Sequence, residues 1–309
     1  MKPPNFFIVG APKSGTTALC DYLRQHPDVF MSRPKELHFF GNDLHRINCV
    51  RLTTAQYLAY FSAADHAQRV GEASTSYLYS RSAAQEIKDF SPAAKIVIML
   101  RSPVDVMVAY HSEQVYGGFE EITDFAEALE AEEQRRRGLR WPTQPGILEN
   151  LYYRDIVRFT DQVQRYLDIF GPQNVHIIIF DDFTRDTAAS YARTLVFLGL
   201  SPGPSPRFEV VNPNKRVRSR RLQHFLLRPP GLARDVVHAL VPRLLRAKTS
   251  AVLKRWNTAH EPRPPLDPAV RRRLQAEYST EIARLSALLG RDLAHWSSDA
   301  PGADAREWV

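Results

Sequence analysis

Phe6-Phe7-Ile8-Val9-Gly10-Ala11-Pro12-Lys13-Ser14-Gly15-Thr16-Thr17-Ala18-Leu19 reads as a buried strand, a tight turn and the start of a helix. Four consecutive apolar residues suit a central parallel strand, and Ala18, Leu19, Tyr22 and Leu23 return at helical spacing. Gly10 and Gly15 bracket the turn, where backbone N–H groups at a helix start can gather round an anion. Lys13, Ser14, Thr16 and Thr17 add a charge and hydroxyl donors. A nucleotide-triphosphatase loop would carry lysine directly after the second glycine, whereas here lysine precedes Gly15 by two positions. An anionic ligand is expected; a strand-to-helix turn without a ligand is the alternative.

The chain has 309 residues, 44% of them hydrophobic, enough for a full core and read as one domain over 1–309. A net charge of +7 and a pI near 9.5 fit polyanionic partners of several kinds. Cys20 and Cys49 lack metal-ligand spacing, so neither a disulfide scaffold nor a metal site is expected. The first strand starts at Phe6 and no apolar run reaches membrane-span length, which leads to the expectation of a cytoplasmic protein.

Further along, Pro34-Lys35-Glu36-Leu37-His38-Phe39-Phe40 interleaves polar and aromatic residues, as in a loop that presents Glu36 at a cleft rim. A solvated Glu36 is the alternative, and His38 reads as a packed histidine. Lys95 to Leu100 is a buried strand ending in Arg101, and Ser102-Pro103-Val104-Asp105 suggests a helix start with a capping box. Arg101 stands at the carboxyl end of that strand, where open α/β sheets bind ligands and a guanidinium can grip phosphate. A structural salt bridge is its other reading. Asp124 to Arg137 is helical, with Arg135-Arg136-Arg137 as a solvated end. Trp141 to Gly146 is a Pro- and Gly-containing loop over the cleft, with Trp141 as a lid aromatic. A helix is expected from Asn150 to Phe170, a strand from Val175 to Phe180, and two helical pieces joined at Tyr278-Ser279 between Asp267 and Trp296. Asp181-Asp182 reads as a structural acidic pair. Leu222 to Trp256, within a basic helical insertion around 222–265, fits a membrane surface, an acidic carrier or a cover for the cleft.

Pro12-Lys13-Ser14-Gly15-Thr16-Thr17 resembles the 5′-phosphosulfate loop of sulfotransferases that use 3′-phosphoadenosine 5′-phosphosulfate. Lys35 to Phe40 and Gly71-Glu72-Ala73-Ser74-Thr75-Ser76-Tyr77 are similar to segments of the glycosaminoglycan-type and bacterial members, and Asn212 to Ser219 resembles a further bacterial segment. The resemblance implies a three-layer, P-loop-like α/β fold with a central parallel sheet, its strands near Phe6, Val70, Ile96 and Val175. It implies Glu36 as general base and Lys13 as the cation on the leaving group. Pro12 to Thr17 would hold the 5′-phosphosulfate, Arg101 the 3′-phosphate, and Lys215 and Arg218 would close on the nucleotide. Glu72, Ser74, Trp141 and Tyr152 are candidate acceptor contacts; Glu72 reads equally as a partner of Lys13 or a core-edge carboxylate.

Two positions depart from the family pattern. Ala73 stands where heparan-modifying members carry a substrate-contacting lysine, and Ala109 stands where a serine would contact the 3′-phosphate. Ser102, Tyr110 or a basic side chain would have to replace that serine. The expected activity is sulfuryl transfer to a hydroxyl or amine of a small-molecule, lipid or carbohydrate acceptor, without a metal and without nucleic acid as partner. The rivals are a non-catalytic nucleotide- or nucleic-acid-binding protein and a small-molecule kinase.

Overall fold

The computed structural model describes residues 2–47, 50–209, 215–219, 256–260 and 265–298, with only the backbone described at 215–217, 259 and 260. Cys49 and most of the insertion around 222–265 lie outside the described residues. Five strands, β1 (Phe6–Gly10), β2 (Val29–Met31), β3 (Arg69–Ala73), β4 (Lys95–Leu100) and β5 (Val175–Ile179), form one parallel sheet in the order β2-β3-β1-β4-β5. Ile8 of β1 lies opposite Ala73 on one side and Val97 on the other.

Side chains of a strand alternate between faces, so a sheet covered on both sides needs apolar residues in every position. The central strands meet that demand. Phe7 and Val9 of β1, with Ile96, Ile98 and Leu100 of β4, enter one core; Phe6 and Ile8, with Val97 and Met99, enter the other. The second core is closed by α1 (Thr16–Leu23), α9 (Phe180–Arg185) and α10 (Thr187–Leu198), through Leu19, Leu23, Phe183, Tyr191 and Leu195. Leu19 and Leu23 are fully buried, each worth about 1.5–3 kcal/mol. The first core takes residues from α2 (Thr54–Ala59), α3 (Ser76–Tyr79), α4 (Ala83–Phe90), α5 (Pro103–Gly117), α6 (Phe125–Arg136), α7 (Tyr153–Ile156), α8 (Phe159–Phe170) and α11 (Pro268–Leu289). The result is the expected three-layer α/β arrangement. A separate antiparallel ribbon pairs β6 (Lys215–Val217) with β7 (Thr258–His260). Among the described residues no helix is long and apolar enough to cross a membrane.

Several local expectations need correction. The span from Asn150 to Phe170 is a 3-10 turn, then α7, then α8, and Gln162 Nε2 bonds the carbonyls of Asp155 and Ile156 where the chain breaks. Conversely, α11 runs unbroken through Tyr278-Ser279. Tyr278 joins Leu274, Ile282 and Leu285 on its buried stripe, and the Ser279 hydroxyl donates to the Ala276 carbonyl three residues back. Ser102 precedes α5 without a side-chain cap, and Asp105 pairs instead with Arg271 of α11 at 3.1 Å. Arg135 is no solvated helix end: its guanidinium grips both oxygens of Glu120 at 2.9 and 2.8 Å, with neither side chain exposed, and Tyr153 adds a bond to Glu120 at 3.0 Å. Arg136 stacks over Tyr152 and pairs with Asp155. The Asp181-Asp182 pair is structural as read, with Asp181 accepting from Trp296 at 2.7 Å and Asp182 from Arg291 at 3.0 Å.

A parallel sheet delivers all its carboxyl ends to one edge. The segments after β1, β2, β3 and β4 therefore converge, and they carry Lys13, Glu36, Thr75 and Arg101 respectively.

Candidate active site

The loop between β1 and α1 forms the floor. Gly15, the residue preceding α1, has φ +88°, and a Cβ there would meet Met99 at 3.2 Å and Phe180 at 3.3 Å. Only glycine suits that turn. Among the described residues nothing accepts the amide hydrogens of residues 13–17, the open donors that a helix start leaves for an anion. Ser14 is fully buried with its hydroxyl on the Pro12 carbonyl at 3.3 Å, so it faces the site through its amide and not as the hydroxyl donor expected. Thr16 is buried and Thr17 half-buried. Lys13 reaches out to Glu113 on α5, Nζ to Oε2 at 2.9 Å.

Glu36 stands on the loop after β2. Its amide donates to the Ala73 carbonyl at 2.8 Å, so the position that carries lysine in heparan-modifying members fixes the Glu36 backbone here. The carboxylate accepts from the Thr75 amide at 2.9 Å and the Thr75 hydroxyl at 3.2 Å, and pairs with Lys35; His38 Nε2 lies 3.7 Å away. Burial by itself would raise the Glu36 carboxyl, but Lys35, His38 and the Thr75 amide outweigh it and hold the group below the usual carboxylate range. It is therefore ionised near neutrality, the form a base requires. His38 bonds Ser76 at 2.9 Å and burial lowers its pKa, so it is neutral there. Lys13, Glu36 and His38 have φ of +59°, +62° and +49°. Such backbone costs about 1–3 kcal/mol per residue, and it clusters at this site.

Arg101 leaves β4 beside the loop. Its Nη1 donates to the Lys13 carbonyl at 3.4 Å, its guanidinium lies 4.6 Å from the Phe180 ring centre, and Asp105 is 3.9 Å away. Ala109 is buried, and Tyr110, offered as a substitute for the missing serine, lines the neighbouring cavity instead. Lys215 lies in β6, and Arg218 is exposed beside it, its amide on the Asn257 carbonyl at 2.8 Å. The ribbon is tied to α5 by Tyr116 and Thr258 at 2.9 Å.

A cavity of about 680 Å³ opens next to Glu36, with Glu36, His38, Thr75, Tyr110, Glu113 and Phe119 among its lining residues. The loop expected to cover it does so through Gln144, Pro145 and Gly146. Trp141 is not in the lining; it packs edge-on against Tyr152, which is also outside it. Glu72 has no exposed surface and touches neither the cavity nor Lys13. It accepts from Tyr57 at 3.1 Å, Tyr77 at 2.9 Å and Ser74, which is itself buried, and burial pushes its pKa up to about 7. Ser74 in turn accepts the His38 amide at 3.1 Å and Tyr77 the Phe39 amide at 2.8 Å, so Glu72 anchors the loop that carries Glu36 from behind. Sequence reasoning missed Glu113, Lys35 as the partner of Glu36, Asp105 with Arg271, and the hydroxyl cluster on Glu72. Only Lys35, adjacent to Glu36, left a local signal.

A family model described as a sulfotransferase domain matches residues 3–214. The bifunctional heparan sulfate N-deacetylase/N-sulfotransferase 3 of Mus musculus is 26% identical over 211 residues, covering 64% of this chain and 22% of that protein. Heparan sulfate glucosamine 3-O-sulfotransferase 6 of Homo sapiens is 32% identical over 110 residues, 36% of this chain and 30% of that protein. The match thus spans only 22% and 30% of these curated relatives' own lengths. The crystal structure of a sulfotransferase from Alicyclobacillus acidocaldarius superposes with a TM-score of 0.72 at 29% identity, covering 96% of this chain and 100% of that one. With the phosphate-type loop, the parallel sheet and the matched domain in agreement, the chain belongs to the sulfotransferase family.

Proposed function

We propose that the protein transfers a sulfuryl group from 3′-phosphoadenosine 5′-phosphosulfate to a hydroxyl or amine of a small-molecule, lipid or carbohydrate acceptor. The observation that carries this reading is that Glu36 and Glu113 line one cavity while Lys13 is bonded to Glu113 at 2.9 Å. An ionised carboxylate thereby lines that volume, and a cation is paired with its second carboxylate. The donor supplies an activated sulfuryl group on a nucleotide leaving group.

The protein's own task resembles that in phosphoryl transfer: alignment and charge stabilisation with little covalent work. The open amides of residues 13–17 and the hydroxyls of Thr16 and Thr17 hold the 5′-phosphosulfate. Lys13 leaves Glu113 and meets the negative charge that grows on the departing oxygen. Glu36 takes the acceptor's proton, an effect worth about 10²- to 10⁴-fold. Arg101, steadied by Phe180 and the Lys13 carbonyl, grips the 3′-phosphate, and Lys215 and Arg218 close on the nucleotide.

Thermal stabilisation by adenosine 3′,5′-bisphosphate, compared with AMP and with magnesium ATP, tests the donor. At a hundredfold excess over its dissociation constant the bisphosphate should add about 2.7 kcal/mol. In Arg101→Ala the loss of a charged hydrogen-bond partner, about 1.5–3 kcal/mol, should erase most of the preference over AMP. Stabilisation by magnesium ATP alone would favour a kinase and remove the proposed donor.

A further inference from the structure

The cavity beside Glu36 has a one-sided chemistry. Ile47, Val50, Leu52, Tyr60, Phe119 and Ile147 supply much of its wall. Among the described residues six large apolar side chains are exposed, and three of them, Ile47, Val50 and Phe119, border this one cavity. Scattered exposed apolar residues are ordinary; their convergence on one concave site marks a binding surface.

That surface is built into the fold. The Phe119 ring occupies space left by two glycines, since a Cβ on Gly117 would meet it at 2.8 Å and one on Gly146 at 3.1 Å. The two rim loops are stitched together, with the Ile47 amide on the Gly146 carbonyl at 2.8 Å and the Leu148 amide on the His45 carbonyl at 2.9 Å. Ile47 and Ile147 are thus set before any acceptor arrives.

The charged groups of the described wall are already engaged. Glu36 bonds Thr75 and Lys35, Glu113 bonds Lys13, and Arg46 donates to the Phe40 carbonyl at 2.6 Å. Two carboxylates thus stand against one guanidinium, with His38, Tyr60 and Tyr110 as the other titratable groups of the described wall. An acceptor bearing sulfates or uronates would bring more negative charge beside two carboxylates, where Arg46 is the single guanidinium of the described wall and Lys13 and Lys35 are each already paired with one of those carboxylates, and burying unpaired charge is costly.

We infer that the acceptor is an uncharged, predominantly apolar alcohol or phenol that seats its carbon frame against Ile47, Phe119 and Ile147 and turns its hydroxyl to Glu36. This rests on the sulfuryl-transfer reading. In that step the acceptor oxygen bonds to sulfur as the sulfur–oxygen bond to the donor's 5′-phosphate breaks. The hydroxyl proton goes to Glu36, and the electron pair leaves with adenosine 3′,5′-bisphosphate.

The test uses the full chain saturated with the bisphosphate, whose own binding is confirmed first by thermal shift. Calorimetric titration then compares 2-naphthol with an N-sulfated heparan hexasaccharide, and mass spectrometry follows product formation once the sulfuryl donor is supplied. Naphthol should bind and be sulfated, the hexasaccharide should do neither, and Phe119→Ser and Ile47→Asn should each weaken naphthol binding about tenfold or more while bisphosphate binding persists. Preference for the hexasaccharide, binding of neither compound, or naphthol affinity unmoved by both substitutions would overturn the inference. A bisphosphate that fails to bind would instead bring down the transfer reading itself.

Discussion

Replacing Glu72 by Gln should flatten one part of the protein's stability profile. Glu72 is wholly enclosed and receives hydroxyls from Tyr57, Tyr77 and Ser74. Burial raises its pKa from 4.5 to about 7, so between those pH values the folded chain keeps a proton that the unfolded chain has lost. The folded state binds more protons there, and stability must fall as pH rises through that window. At about 1.4 kcal/mol per pH unit the loss amounts to roughly 3 kcal/mol. A glutamine keeps an acceptor for the two tyrosines and has no charge to bury. Urea unfolding of both proteins at pH 5 and pH 8 isolates the effect, because other titrating groups cancel in the difference. The variant should match the parent at pH 5 and exceed it by about 3 kcal/mol at pH 8. A difference that does not change with pH would mean that the three hydroxyls hold Glu72 ionised throughout, and the burial argument would be wrong.

Arg135→Met strands Glu120 in a site without exposed surface and should cost about 3–5 kcal/mol in urea unfolding, whereas the added change Glu120→Leu should restore most of it. Lys35→Met removes the nearest cation from Glu36 and should move the acid limb of the pH–rate profile upward by about one unit; an unmoved limb would dissociate Lys35 from the base.

What the sequence made legible was local. The loop from Gly10 to Thr17, the Glu36 segment and the strand ending at Arg101 carry their chemistry within a few residues, and the continuous apolar strands together with the family resemblance implied the layers. Partnerships across long separations left no such trace. Lys13 and Glu113 are 100 residues apart, and Asp105 and Arg271 are 166 apart. The pairing of Arg135 with Glu120 shows why a basic helix end misled: a run of three arginines looks solvated unless the carboxylate that buries one of them is known. At Tyr278-Ser279 two weak helix formers suggested a break, yet burial of Tyr278 beside Leu274 and Ile282 overrode local propensity. The apolar cavity wall was hidden for the same reason, since Ile47, Phe119 and Ile147 meet only once the loops are stitched.

Glu36 is proposed to move a proton and not to hold the donor. Glu36→Gln, assayed for sulfuryl transfer and, in parallel, for adenosine 3′,5′-bisphosphate affinity, tests it most directly. Transfer should fall about 10²- to 10⁴-fold while nucleotide affinity stays nearly unchanged. Transfer at close to the parent rate, or a loss confined to nucleotide binding, would contradict the account.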